Sequence, residues 1–458
     1  MFDDHFDRRA FLRQVLVGVG ALNLPNVLRL RAEAPVEFAR KNTKLILLWQ
    51  DGGPTHHETF DPKPDAPLEY RGELGAIPTT LAGVRFCEVL PRLAKLAHRF
   101  SVIRSIHQPS SGHVDGTLNW ITGYEGNSRP VFPDLCSVAH RMRSEGASDE
   151  RTALPQYIAL GGQASIGLHR GGPAYLGPQH APFKISADPF HPDFQVQNLQ
   201  VADSGFRFRR RSKFLDKLDR FRGERLLESL DYSRRMSAMD RYYAQALDIL
   251  TGSGEAARAF DLSREPRQMR ERYGLNTAGQ QALLSRRLVE SGVSVVAVRF
   301  SPDGRGDGDR SGIGWDDHAV HGNIFSVMKR RGPQFDQAVS ALIEDLGDRG
   351  LDEEVLVVLA GEFGRTPKIH VHKGCPGREH WGAAGNVLVY GGGLEMGQII
   401  GATDSKGTQP SDRALKPQDV LATVYQVLGV DPHHEFLDAQ GRPFKVLPTG
   451  APIPELMV

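Results

Sequence analysis

Carboxylate and imidazole side chains recur in this chain directly beside apolar runs. Asp51 ends the run Lys44-Leu45-Ile46-Leu47-Leu48-Trp49-Gln50 and opens Gly52-Gly53-Pro54. Glu362 follows Val355-Leu356-Val357-Val358-Leu359-Ala360, inside Gly361-Glu362-Phe363-Gly364-Arg365-Thr366-Pro367. Asp316, Asp317, His318 and His321 lie in the loop after the run Val293 to Val298. His380 sits in Gly377-Arg378-Glu379-His380-Trp381, ahead of the run Asn386 to Tyr390. Such donor sets suit zinc, manganese or calcium. A metal site of that kind polarises an ester and activates a nucleophile. Plainer readings stand beside this one. Asp51 is also a good turn residue before Gly-Gly-Pro, Glu362 a partner for Arg365 or Arg378 in a buried ion pair, and His380 a packed core group. The Asp316 to His321 cluster is harder to explain that way, because two carboxylates and two histidines so close together repel or strain without a counter-ion. Arg365 and Arg378, if turned inward, are bidentate donors for sulfate or phosphate; otherwise they are structural salt bridges.

The runs themselves predict the scaffold. Unbroken apolar segments fit strands buried on both faces of a parallel sheet. Lys44 to Gln50, Phe100 to Arg104, Pro155 to Leu160, Val293 to Val298, Val355 to Ala360 and Asn386 to Tyr390 read as strands. Pro91 to Arg99, Thr277 to Ser291, Phe335 to Arg349 and Pro417 to Leu428 read as helices. The alternation predicts an α/β protein with a mostly parallel sheet and helices on both faces. One domain is expected from about residue 40 to the C-terminus, with a helical insertion at about 206–273, where Arg, Leu, Asp, Glu and Met dominate. Ligand sites in open α/β sheets lie at the carboxyl ends of the strands, where these polar residues fall.

Composition narrows the possible partners. The 458 residues carry 56 Lys and Arg against 55 Asp and Glu, so no basic excess draws the chain to nucleic acid or an anionic membrane. Its three cysteines, Cys87, Cys136 and Cys375, are widely spaced and make neither a disulfide framework nor a thiolate zinc site. At the N-terminus, Asp7-Arg8-Arg9-Ala10-Phe11-Leu12-Arg13 has the form of a twin-arginine export motif. A short apolar stretch, Val15 to Leu24, and Ala32-Glu33-Ala34 complete a signal peptide over residues 1–34. The expected location is therefore periplasmic or extracellular. No transmembrane segment is expected in the mature protein, whose apolar runs are shorter than the roughly 20 residues a membrane helix needs.

Four motifs carry a family resemblance: Trp49-Gln50-Asp51-Gly52-Gly53-Pro54, Thr59-Phe60-Asp61-Pro62-Lys63-Pro64, Glu362 to Pro367, and Gly377 to Trp381. They resemble a large family of exported bacterial proteins whose domain has no assigned function, family fifteen-oh-one. That family is similar to a distant branch of the alkaline phosphatase and sulfatase superfamily. The resemblance implies a three-layer α/β/α sandwich and a metal-dependent hydrolase acting on sulfate or phosphate esters of a small molecule or polysaccharide. The alternative is a catalytically silent relative that binds a polysaccharide, a lipid or a protein. It implies that Asp51, Glu362 and a serine hold one ion, and Asp317, His321 and His380 another. Asp316 with His318 is the competing choice within the cluster. Phe363 stands where the superfamily has a histidine ligand, and Ser110-Ser111-Gly112-His113 resembles the segment that begins at the nucleophile.

Overall fold

Val, Ile and Leu in unbroken runs leave a strand no polar face to turn to water, so such strands belong inside a covered sheet. The computed structural model describes residues 42–126, 130–144, 154–161, 171–194, 196, 255–302 and 314–457. Its main sheet has eight strands: β1 (Lys44–Trp49), β2 (Ser101–Ile106), β3 (Tyr157–Leu160), β4 (Phe183–Ile185), β5 (Val295–Arg299), β6 (Val355–Ala360), β7 (Gly385–Gly391) and β8 (Ile399–Ile400). Their order is β8-β2-β7-β6-β1-β5-β3-β4. β1 pairs in parallel with β5 and β6, β3 with β5 and β4, and β8 with β2. In this sheet only β7 is reversed, antiparallel to both β2 and β6. That reversal matters for the site: the amino end of β7 meets the edge at which the other strands end.

Side chains alternate between the two faces of a strand, and each run splits accordingly. Ile46, Leu48, Val296, Val298, Val357 and Leu359 enter one core; Leu45, Leu47, Trp49, Val295, Ala297, Leu356 and Val358 enter the other. The first core is closed by α1 (Pro91–Leu96), α4 (Glu255–Phe260), α5 (Arg267–Tyr273), α6 (Thr277–Glu290) and α7 (Ile324–Asp348). The second is closed by α2 (His113–Thr122), α3 (Leu135–Ser144) and α8 (Pro417–Leu428). The result is a three-layer α/β/α sandwich. From Asn42 onward the described residues belong to one compact unit. Truncating one of the fully buried strand residues, such as Leu359, would cost about 2–5 kcal/mol, the usual penalty for a large-to-small change in a packed core.

The sequence places α7 too far along the chain. The helix expected from Phe335 begins instead at Ile324 and runs through Pro333. Asn323 caps it, its Oδ1 accepting from the amides of Phe325 and Ser326. Gly332 is required by packing, since a Cβ there would lie 2.6 Å from Val89. The signal-peptide segment 1–34 lies outside the described residues, as does 206–254 of the expected insertion. The described remainder supplies Phe260, Leu262 and Tyr273 to the first core. No helix among the described residues is long and apolar enough to cross a membrane.

Candidate metal centre

Four segments that follow strands and one two-residue ladder meet at the carboxyl edge of the sheet. Asp51 leaves β1, Glu362 leaves β6, and the Asp316 to His321 loop stands between β5 and α7. His113 opens α2, which follows β2 after a short connection and ends at Gly123 in the left-handed conformation. His380 arrives through a two-residue ladder in which His380–Trp381 pairs antiparallel with Gly364–Arg365. The ladder sets His380 beside Arg365, just before the reversed strand β7.

Asp316 is the hub. Its Oδ1 lies 2.9 Å from His318 Nε2, 3.1 Å from His380 Nε2 and 2.6 Å from Arg365 Nη2. Its Oδ2 lies 3.6 Å from His113 Nε2. One donor atom each from His113, Asp316 and His380 lies within 4.8 Å of the others. His318 joins them, its Nε2 only 2.8 Å from His380 Nε2. The outer ring nitrogens are held by carboxylates. His113 Nδ1 lies 2.7 Å from Glu362 Oε1, and His318 Nδ1 contacts Glu379 Oε2. A carboxylate accepts an N–H, so these contacts put a proton on each Nδ1 and leave each Nε2 facing Asp316.

The electrostatics follow from crowding. Burial resists ionisation of Asp316, but hydrogen bonds from His113, His318 and His380 and the charge of Arg365 hold its carboxyl well below the usual range. Burial likewise opposes charge on His113, yet its bonds to Asp316 and Glu362 raise it to about 9. His380 is pushed down, by burial first and then by Arg365 and His113, against the pull of Asp316. Without a metal, a proton on His113 supplies the positive charge that these carboxylates demand.

Asp51 and Glu362 form a second, fully buried layer. Asp51 is raised to about 7 by burial and by the charge of Glu362, against the opposing charge of Arg299. Asp51 Oδ1 and Glu362 Oε2 are buried without a hydrogen-bond partner. Glu362 Oε1 also accepts from the Gly52 amide at 2.8 Å. Phe363 walls the cluster, its ring centroid 4.6 Å from that of His380 and 5.3 Å from that of His113. Gly53, at φ +85°, must lack a side chain here, because a Cβ would lie 2.5 Å from the Phe363 ring.

Several expected site residues are placed elsewhere. Asp317 turns away and binds Arg331 Nη1 at 2.5 Å in a buried ion pair, so the favoured pairing of Asp317 with His321 gives way to Asp316 with His318. His321 stays at the rim, Nδ1 donating to the Asp316 carbonyl at 3.0 Å. Arg378 grips Glu58 through Nε and Nη2 and donates to the carbonyls of Thr366, Pro367 and Tyr70. Arg365 is spent on Asp316 and on the carbonyls of Gly53, Gly52, Trp315 and Arg378. Neither arginine has a nitrogen left for a substrate anion. Ser110 Oγ accepts from the Gly112 amide and Ser111 Oγ from the Gly382 amide, and neither has a hydrogen bond to the cluster. Glu362 holds His113 where a metal ligand was expected.

The sequence places His113 beside the expected nucleophile and marks neither it nor Glu379 as part of a metal centre. The placement rule that flags the other candidates also covers His113, which follows β2 at the same edge. Glu379 adjoins His380 in its motif and offered no separate signal.

A family model described as "Protein of unknown function (DUF1501)" matches residues 42–457. No curated protein matches. Among solved structures, the zinc complex of the C-terminal periplasmic domain of EcEptC from Escherichia coli is 10% identical, with a TM-score of 0.38 over 90% of this chain and 95% of that one. The phosphonate monoester hydrolase SpPMH from Silicibacter pomeroyi is 12% identical, with a TM-score of 0.35 over 86% and 74%. The PsFucS1 sulfatase from Pseudoalteromonas sp. is 11% identical, with a TM-score of 0.34 over 88% and 70%. Likeness at this distance carries no information about chemistry.

Proposed function

The chain belongs to the family described as protein of unknown function (DUF1501), and we propose that it is an exported, metal-dependent hydrolase of sulfate or phosphate esters. The observation that carries this reading is the convergence of the His113, Asp316 and His380 donor atoms within 4.8 Å. The donor set fits a divalent ion. Two imidazoles and a carboxylate, with His318 adjoining, match zinc first and manganese second; calcium prefers an all-oxygen shell. The carboxylates behind His113 and His318 are the outer partners that metal-bound histidines commonly have. Such an ion supplies Lewis acidity and a nucleophile available at neutral pH.

The chain's own groups do the rest. Glu362 and Glu379 keep their imidazoles in one orientation. Phe363 covers one side of the cluster and excludes water from it. His321, at the rim with its Nε2 free of hydrogen bonds to described residues, is placed to pass a proton to a leaving group. Because Ser110 and Ser111 accept backbone amides and have no hydrogen bond to the cluster, direct attack by water fits this site better than a serine ester intermediate. The same observation favours the second reading, a silent protein that retains one ion and binds a polysaccharide or other partner.

Export follows from Arg8-Arg9, the apolar stretch and Ala32-Glu33-Ala34. A screen of aryl sulfate, phosphomonoester and phosphodiester substrates, with zinc or manganese added, tests the activity. Turnover that depends on the metal and on His380 supports the enzyme. Bound metal with no turnover of any substrate supports the silent alternative.

A further inference from the structure

We propose that Arg299 is the group that binds the tetrahedral anionic head of the ligand. This deepens the hydrolase reading and rests on it for the location of the pocket. Four arginines adjoin the loops of the site among the described residues, and in three of them both terminal nitrogens are taken. Every nitrogen of Arg365 and Arg378 is bonded within the protein. Arg331 gives Nη1 to Asp317 and Nη2 to the Gly314 carbonyl, and lies 4.8 Å over the Trp315 ring.

Arg299 differs. It ends β5, in register with Trp49 on β1, so it stands beside Asp51 at the carboxyl edge. Its Nε donates to Asp51 Oδ2 at 2.9 Å, and neither terminal nitrogen has a hydrogen bond to a described residue. The side chain keeps 18% of its surface open, whereas Asp51 is fully buried. One side of the guanidinium is therefore anchored while both terminal nitrogens remain for a second acceptor. Two N–H groups in one plane match two oxygens of a sulfate or phosphate.

The anchor makes the arrangement useful. Arginine loses considerable rotamer freedom when it grips a ligand, and a side chain already held in place loses less. Asp51 supplies that hold. Gly161 at the end of β3, with φ +93°, makes room for it, since a Cβ there would lie 3.0 Å from Arg299 Cβ and crowd the side chain. In this account Asp51 is a positioning residue for Arg299. That also explains why a carboxylate is buried at the end of β1 with one oxygen directed at an arginine.

The test is titration calorimetry of the full chain with inorganic sulfate and, separately, inorganic phosphate, in metal-loaded and metal-free protein. Wild type is compared with Arg299→Ala and Arg299→Lys, and metal content is measured on each sample. The expected result is binding of at least one anion by wild type. Arg299→Ala should weaken it on the order of tenfold to a hundredfold, as expected for a charged hydrogen-bond pair. Arg299→Lys should recover only part of the loss, because an ammonium is a point charge without the fork. Metal content should not change. Wild-type affinity in Arg299→Ala, or no anion binding by wild type, overturns the proposal. If Arg299→Ala does not fold, Arg299→Lys decides: undiminished affinity there overturns it as well. Absence of metal in wild type would instead defeat the metal-centre reading, and the metal-free titration would still decide the role of Arg299.

Discussion

Glu362 Oε1 accepts from His113 Nδ1 at 2.7 Å and from the Gly52 amide at 2.8 Å, which ties the loop after β6 to the turn after β1 and to the first residue of α2. Three segments distant in sequence thus share one carboxylate oxygen. The arrangement gives Glu362 a role that its place after a buried strand does not reveal: it orients the His113 ring. Glu362→Gln retains the shape but loses the charge, so His113 loses its ionic partner. Metal affinity should fall about 10- to 100-fold, the usual cost of removing an outer-shell carboxylate. Competition with a chromogenic chelator measures it; unchanged affinity would show that Glu362 does not support the site.

Asp316 and Asp317 are adjacent in sequence and should respond oppositely to substitution. Asp317→Ala leaves Arg331 charged and buried without its partner, so unfolding free energy should drop by about 3–5 kcal/mol while metal content stays at the wild-type level. Asp316→Ala should abolish metal binding. Denaturant unfolding and elemental analysis on both variants check the pair, and metal loss in Asp317→Ala with Asp316→Ala unaffected would reverse the assignment.

Metal-free protein should lose stability in mild alkali. The His113 pKa, about 9, lies above the value of roughly 6.5 for a free imidazole, so the folded state holds the proton more tightly. Its contribution is complete below pH 6.5 and disappears as pH rises through about 9. Bound metal displaces that proton, so apparent metal affinity should instead rise over the same interval. Chemical denaturation from pH 6 to 10, with and without metal, tests the opposed slopes; a flat metal-free profile would count against the His113 assignment.

The export reading has its own check. Replacing Arg8 and Arg9 together with lysine should block secretion, and the mature wild-type chain should begin just after Ala34. Secretion that survives the exchange, or a secreted chain that still carries Met1, would contradict it.

Much of the scaffold is written in the local pattern. Runs such as Leu45 to Trp49 and Val355 to Ala360 have no polar face, which requires a covered sheet, and polar residues just beyond them mark its carboxyl edge. What such patterns do not encode is the direction in which a side chain turns. Asp316 and Asp317 have the same chemistry, and only the position of Arg331 one helix away separates them. Arg365 and Arg378 look like anion donors until the carbonyls that surround them are known. The reversal of β7 is likewise nonlocal: it lies in its antiparallel pairing with β2 and β6, strands far from it in sequence. The length of α7 is not legible either: the helix runs through both Gly332 and Pro333, and Gly332 packs so closely on Val89 that a side chain there would clash.

The most direct measurement is the number of metal ions per chain, by elemental analysis of purified protein dialysed against trace zinc or manganese. The convergence of His113, Asp316 and His380 predicts one tightly held ion in wild type. It also predicts near-complete loss in His380→Ala and in Asp316→Ala, with both variants still folded by circular dichroism. Wild-type protein with no bound ion, or variants that retain the wild-type amount, would contradict the metal centre.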